Sequence, residues 1–143
     1  MKKVILLLII VFSVTITIEA QSIFGKWKTL DAETGNTESI VEVYEKNGEA
    51  YAKIIEILNK EDEARVCDAC KGKNKNKPIL GMVILNGLKL DGKEWNNGKI
   101  LDPKNGKYYK CYITLINATK LKLRGYIGIS LLGRTEYWYR VNE

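Results

Sequence analysis

The sequence predicts an all-β fold, an antiparallel up-and-down β-barrel of about eight strands. Three observations carry this. Short apolar stretches rich in Tyr, Val, Ile and Thr alternate with polar positions, as strands half-buried on one face do. Twelve glycines punctuate a chain of 143 residues that holds only two prolines and no histidine. No segment after residue 20 keeps a 3.6-residue apolar period long enough for a helix. Strands joined by short turns form a meander. Closing that meander removes the two edges a flat sheet would leave open to other chains.

The elements follow in order. Ser22 to Leu30 reads as the first strand, and Asp31 to Asn36 as a turn. Thr37 to Lys46 is the second, with Val41 and Val43 on one face against Ile40, Tyr44 and Lys46 on the other. Asn47-Gly48 is a strong hairpin signal, because both residues tolerate the positive φ of a type I′ turn. Glu49 to Leu58 returns as the third strand, Ala50, Ala52 and Ile54 sharing a face. From Asn59 to Lys77 the alternation fails, leaving a long polar loop that holds Cys67-Asp68-Ala69-Cys70 and the lysines 71, 73, 75 and 77. Loops of this length are usually functional or mobile. Pro78 to Leu90 is apolar and reads equally as a strand or a short helical turn. Glu94 to Leu101 reads as a strand interrupted at Asn96-Asn97-Gly98, and Asp102-Pro103-Lys104-Asn105-Gly106 as a turn. In Tyr108 to Ile116, Tyr109, Cys111, Ile113 and Leu115 alternate with Tyr108, Lys110, Tyr112 and Thr114. In the next strand Leu121, Leu123, Gly125 and Ile127 face away from Lys120, Lys122, Arg124 and Tyr126. Arg134 to Val141 is the last. Glycines at 125, 128 and 133 are expected to serve bends and close backbone approach.

Residues 1–20 read differently. Lys2 and Lys3 precede an apolar run from Val4, diluted by Ser13, Thr15 and Thr17, and Ala20 stands where a signal peptidase cuts. This is the pattern of an export signal, so the domain is expected over 21–143, outside the cytoplasm, in the periplasm or the medium, with no stable membrane insertion after cleavage. The formal net charge is +6. Its lysines are scattered apart from the run in the long loop, which suits solubility, and an exported protein rarely meets nucleic acid. The lack of histidine removes the commonest general base and metal ligand. No spacing pairs two of Asp31, Glu42, Glu56, Asp102 and Glu136 for hydrolysis. No catalytic residue, metal site or cofactor is predicted.

Gly25-Lys26-Trp27 near the start and Arg140 near the end resemble the Gly-x-Trp strand and closing arginine of lipocalin-like (calycin) barrels. That resemblance implies that Trp27, after Gly25, and Arg140 close one barrel end, with the guanidinium on the indole face, a cation–π contact of ~1–2 kcal/mol when partly desolvated, and Trp138 on the last strand is expected to finish that end. Further pieces match a family of small exported bacterial proteins of unknown function, DUF2147. They are Cys67-x-x-Cys70, Gly81-Met82, Gly98-x-Ile100-Leu101-Asp102-Pro103-x-Asn105-Gly106-x-x-Tyr109-x-Cys111, Arg124-Gly125-Tyr126-Ile127-Gly128, and Gly133-Arg134-Thr135-x-x-Trp138-x-Arg140. The resemblance implies a lipocalin-like barrel and supplies no activity.

Three cysteines allow three single pairings and leave one over. Adjacency favours Cys67–Cys70 in an oxidising compartment, with Cys111 buried as a small apolar side chain. Pairing of Cys111 with either loop cysteine is the alternative, and would tie the loop to the barrel wall. Arg134 and Glu136 share the face of Trp138 and Arg140. They form either a grip for a carboxylate or an internal ion pair. Tyr112 and Tyr126 are candidates for lining an apolar pocket, against ordinary cross-strand packing. The function expected is non-enzymatic binding of a small hydrophobic or amphipathic ligand. The alternative is a structural or interaction module of the cell envelope with a filled barrel and Cys67–Lys77 as its contact surface.

Overall fold

The computed structural model describes residues 21–142, and the predicted leader at 1–20 lies outside them. Eight strands run in chain order: β1 (Gly25–Leu30), β2 (Thr37–Lys46), β3 (Glu49–Ile57), β4 (Val83–Asp91), β5 (Glu94–Asp102), β6 (Lys107–Asn117), β7 (Lys120–Tyr126) and β8 (Gly133–Arg140). Each pairs antiparallel with the next, and β1 pairs with β8, Trp27 opposite Arg140, to close the barrel. A single 3-10 turn, Gly72–Asn74, lies in the long connection.

Period-2 alternation decides which side chains fill the lumen. Val41, Val43, Ala50, Ala52, Leu85, Leu88, Cys111, Ile113, Leu121 and Leu123 point inward and are buried. The Asn47-Gly48 hairpin adopts positive φ at both residues, 53° and 78°, as a type I′ turn requires. The ambiguous stretch 78–90 resolves as a strand that begins at Val83. Its alternation is broken at Gly87, whose φ of 68° bulges the strand so that Leu85 and Leu88 both reach the lumen. The interruption expected at Asn96-Asn97-Gly98 is likewise a bulge inside a continuous β5, with Asn97 at φ 59°.

Strand direction sorts the connections onto two ends. One end has β1's start, β8's finish and the tight turns at 47–48, 92–93 and 118–119. The other has the turns at 31–36 and 103–106, the connection 58–82 and the loop 127–132. The long connection folds against the outer wall of the barrel. Leu101 points outward, opposite in parity to Ile100, yet is 2% exposed because this connection covers it. Cys67 Sγ lies 3.4 Å from the Pro103 carbonyl oxygen, and Asn74 Nδ2 donates to Tyr108 Oη at 3.0 Å. Gly106 abuts the connection so closely that a Cβ there would sit 2.1 Å from the Ala69 carbonyl oxygen.

Candidate functional site

Trp27 and Arg140 close the first end. Trp27 is fully buried, and its indole N–H donates to the Ile23 carbonyl at 2.8 Å. The Arg140 guanidinium sits 4.2 Å from the Trp27 ring centre. It donates to the carbonyls of Ala118 at 2.7 Å and Phe24 at 3.0 Å, and to that of Ser22. Gly25 makes this possible. Its φ is 126°, and a Cβ would meet Arg140 Nη1 at 2.9 Å. Phe24 and Trp95 pack edge to face beside it, centroids 5.4 Å apart. Trp138, 2% exposed, lies inside the lumen, and its indole N–H has no protein partner.

The second end carries polar side chains over an apolar wall. Arg134 and Glu136 point inward from β8, in register with Gly125 and Leu123 of β7. They pair with each other, Arg134 Nη2 to Glu136 Oε1 at 2.7 Å, with the arginine side chain 66% and the glutamate 33% exposed. Thr29 and Ser39, both buried, share a 2.6 Å hydroxyl hydrogen bond. Ile100 and Tyr109 complete the rim, and Tyr109 Oη accepts from Asn105 Nδ2 at 2.9 Å. Lys104 reaches across this mouth. It belongs to the β5–β6 turn, yet its ammonium lies 2.8 Å from Glu38 and 3.5 Å from Asp31, at the β1–β2 turn on the opposite side of the strand order. The Glu38 bond holds the Lys104 ammonium above its ordinary pKa, and the backbone N–H groups of Thr34 and Glu33 hold the Asp31 carboxyl below its own.

Of the three glycines expected to serve bends or close approach, two do. Gly128 takes a positive φ of 73°, and a Cβ on Gly133 would lie 2.2 Å from the Gly125 carbonyl. Gly125 differs. Its φ is ordinary, and a Cβ would meet only Ile100 Cγ2 and Tyr109 Cβ, each at 3.8 Å. Neither backbone nor sterics demands glycine there: the position faces the lumen beside Arg134, and a Cβ would make only ordinary contacts.

Among the four candidate ligand residues, only Arg134 and Glu136 come together at the mouth. Tyr112 and Tyr126 lie on the outer face, because Cys111 and Ile113 take the inward parity of β6 and Leu121 and Leu123 that of β7. Their rings neighbour each other at 6.5 Å, and Lys122 stands over Tyr112. They do not line the lumen, which corrects their place as pocket residues. Cys67 and Cys70 are joined in a disulfide with Cα atoms 5.3 Å apart, and Cys111 is free and buried. Desolvation pushes the Cys111 thiol up to about 12, so it is neutral at physiological pH. Two features escaped sequence reasoning, the Lys104 bridge and the inward place of Gly125 beside Arg134. Among the described residues no group of three or more His, Cys, Asp or Glu side chains is placed to hold a metal ion. No helix among them is long and apolar enough to cross a membrane.

A closed eight-stranded barrel with an indole and a guanidinium sealing one end is a lipocalin-like barrel. A solved structure supports that class. Its description reads "Protein HP1028 from the human pathogen Helicobacter pylori belongs to the lipocalin family", and it matches with a TM-score of 0.76 at 23% identity, over 87% of this chain and 86% of that one. The family described as "Uncharacterized protein conserved in bacteria (DUF2147)" matches residues 25–140, and the chain belongs to it. A search of curated proteins finds no match.

Proposed function

We propose that this protein is a non-enzymatic binder of a small amphipathic molecule, held at the Arg134–Glu136 mouth with its apolar part against Ile100, Leu123 and Tyr109. The observation that carries the reading is the inward-facing Arg134–Glu136 pair at the open end, solvent-accessible and set beside Gly125, the smallest residue of that wall. Deeper in the lumen, Trp27, Leu88, Ile113, Leu121 and Trp138 fill the space, which limits the ligand to the upper half. Arg134 presents a planar fork suited to a carboxylate or phosphate head. The reading extends to a location outside the cytoplasm, supported by the Cys67–Cys70 disulfide and by the leader-like sequence of residues 1–20.

A second reading keeps the barrel filled and makes the long connection a contact surface. It draws on a groove of about 410 Å3 outside the lumen, where Lys73, Lys77, Pro78, Met82, Asn86 and Tyr108 are among the lining residues. Titration with a fluorescent fatty-acid analogue, read beside native mass spectrometry of the purified protein, separates the two. Lumen binding predicts saturable uptake that Gly125→Val blocks and Arg134→Gln weakens, with unchanged thermal unfolding. Uptake indifferent to Gly125→Val, or no uptake, rejects the mouth as a site.

A further inference from the structure

The loop between β7 and β8 has an unusual composition for an exposed tip. Ile127, Ile129, Leu131 and Leu132 are 63%, 59%, 83% and 68% exposed, the largest concentration of exposed aliphatic side chains among the described residues. Single exposed apolar residues are ordinary, whereas a contiguous group marks an interaction site. The backbone of the loop is held from within. Ile127 N–H donates to the Leu132 carbonyl at 3.2 Å, and Leu132 N–H to the Ile129 carbonyl at 3.0 Å. Arg124 reaches in from β7, its Nη2 and Nε donating to the Ser130 carbonyl at 2.8 and 3.0 Å and Nη2 also to that of Leu131 at 3.4 Å. Its Nη1 donates to Thr135 Oγ1 at 3.0 Å. The carbonyls of residues 129 to 132 are thus all satisfied before any partner arrives.

That accounting selects the partner. A peptide strand adding to this loop would need its free carbonyls, and they are engaged. The interfacial layer of a bilayer, where water still reaches the loop's N–H groups, accepts a segment whose carbonyls are engaged and whose side chains are aliphatic. The charges beside the loop fix the kind of surface. From Arg124 to Glu136 the chain has two arginines and one acid, Glu136, which pairs with Arg134. Lysines 71, 73, 75 and 77, all exposed, belong to the second half of the long connection at the same end of the barrel, whose first half carries Glu61, Asp62, Glu63 and Asp68 against Lys60 and Arg65. Aliphatic side chains at the tip, with an excess of cations on the lysine run at the same end of the barrel, match a bilayer interface whose headgroups are anionic.

We infer that the β7–β8 loop is a membrane-docking tip, which inserts Ile129, Leu131 and Leu132 into the interfacial layer of an anionic lipid bilayer while Arg134 and the lysine run contact its headgroups. Docking brings the Arg134–Glu136 mouth to the lipid surface, but the inference does not depend on a ligand in the lumen.

The test is co-sedimentation of the protein from Gln21 to Glu143, a span that contains the whole closed barrel, with phosphatidylcholine vesicles and with phosphatidylcholine–phosphatidylglycerol vesicles. Binding to the anionic vesicles should exceed binding to the neutral ones about tenfold and fall as salt rises. Leu131→Ser with Leu132→Ser should reduce it about tenfold or more without changing thermal unfolding, since both side chains are exposed. Replacing lysines 71, 73, 75 and 77 by glutamine should reduce binding while leaving the tip intact. Equal binding of the Leu131/Leu132 double variant and the parent overturns the proposal, as does equal binding to both vesicle types. A concentration-dependent dimer that the double variant abolishes, without vesicle binding by the parent, assigns the tip to a second copy of the chain and also overturns it.

Discussion

At one end of the barrel, the seal joins the start of the chain to its finish. Arg140 binds carbonyls of Ser22, Phe24 and Ala118 and covers the Trp27 ring, so every partner is remote in sequence and the hydrogen-bonding groups are consumed by the fold. At the other end, the polar side chains engage each other at the rim: Arg134 with Glu136, Lys104 with Asp31 and Glu38. The first arrangement holds the barrel shut because nothing else satisfies those groups. The second consists of exposed ion pairs, each worth little, that a ligand or a charged surface replaces at small cost. A barrel of this kind separates stability from recognition by assigning them to opposite ends.

Truncation at the sealed end is the largest expected effect. Trp27→Ala removes a fully buried indole, its hydrogen bond to Ile23 and the surface on which Arg140 rests. The expected loss is about 3–5 kcal/mol in urea unfolding. Arg134→Ala at the open end should cost less than about 0.5 kcal/mol by the same measurement. Similar losses at both positions would break the contrast between the ends.

The wall below the mouth gives the next effect. Cys111 is raised to about 12 by burial. A raised folded-state pKa contributes stability that is complete below the unfolded value of 9.0 and fades as pH climbs through the folded one. Between pH 9 and 11 the protein should therefore lose about 2–3 kcal/mol that Cys111→Ala does not lose, at ~1.4 kcal/mol per unit. Tyrosine and lysine titrations are common to both chains and cancel in the difference. Identical alkaline profiles would mean that water already reaches the thiol through the mouth.

Much of the barrel is written in alternation, and its failures have local causes. The inward parity of Val41, Val43, Ala50, Ala52 and Ile54 is legible residue by residue, and so is the Asn47-Gly48 turn. The stretch 78–90 was not, because Gly87 bulges and puts Leu85 and Leu88, three apart, on one face, which imitates a helical turn. Asn97 did the same to β5. For the site, parity already separated Tyr112 and Tyr126 from Cys111 and Leu123, whereas aromatic character alone suggested a lining. The Lys104 bridge has no local signal. It exists only because eight strands close and set the β1–β2 turn opposite the β5–β6 turn. That Leu131 is 83% exposed is likewise a property of the loop's place on the barrel, not of its composition.

Reduction of the disulfide should cost about 2 kcal/mol, the closure entropy of so short a loop. The loss should be confined to one end. Amide exchange should quicken at Cys67 and Asn76, whose N–H groups donate to Lys77 and Cys67 within the connection, both at 2.8 Å. Protection at Trp27 and Arg140 should not change. Faster exchange at the sealed end on reduction would show that the two ends are mechanically coupled.

A small stability effect belongs to Lys104, and its value is as a probe of access. Its side chain is 56% exposed, so Lys104→Ala should cost at most about 1 kcal/mol. The bridge also has a pH window. Asp31 is depressed below 3.8 chiefly by the backbone N–H groups of Thr34 and Glu33, so what is lost as pH falls through its folded pKa is mainly the hold of the β1–β2 turn. Lys104 is raised above 10.5, so its contribution is complete below that value and is lost as pH rises beyond it. At neutral pH the bridge spans the mouth, and molar salt should weaken it. If it obstructs the lumen, Lys104→Ala speeds uptake of the fatty-acid analogue at neutral pH, and salt produces the same acceleration in the parent but not in the variant. Unchanged uptake in the variant would place the path to Gly125 wholly on the β7–β8 side of the bridge, beside Arg134.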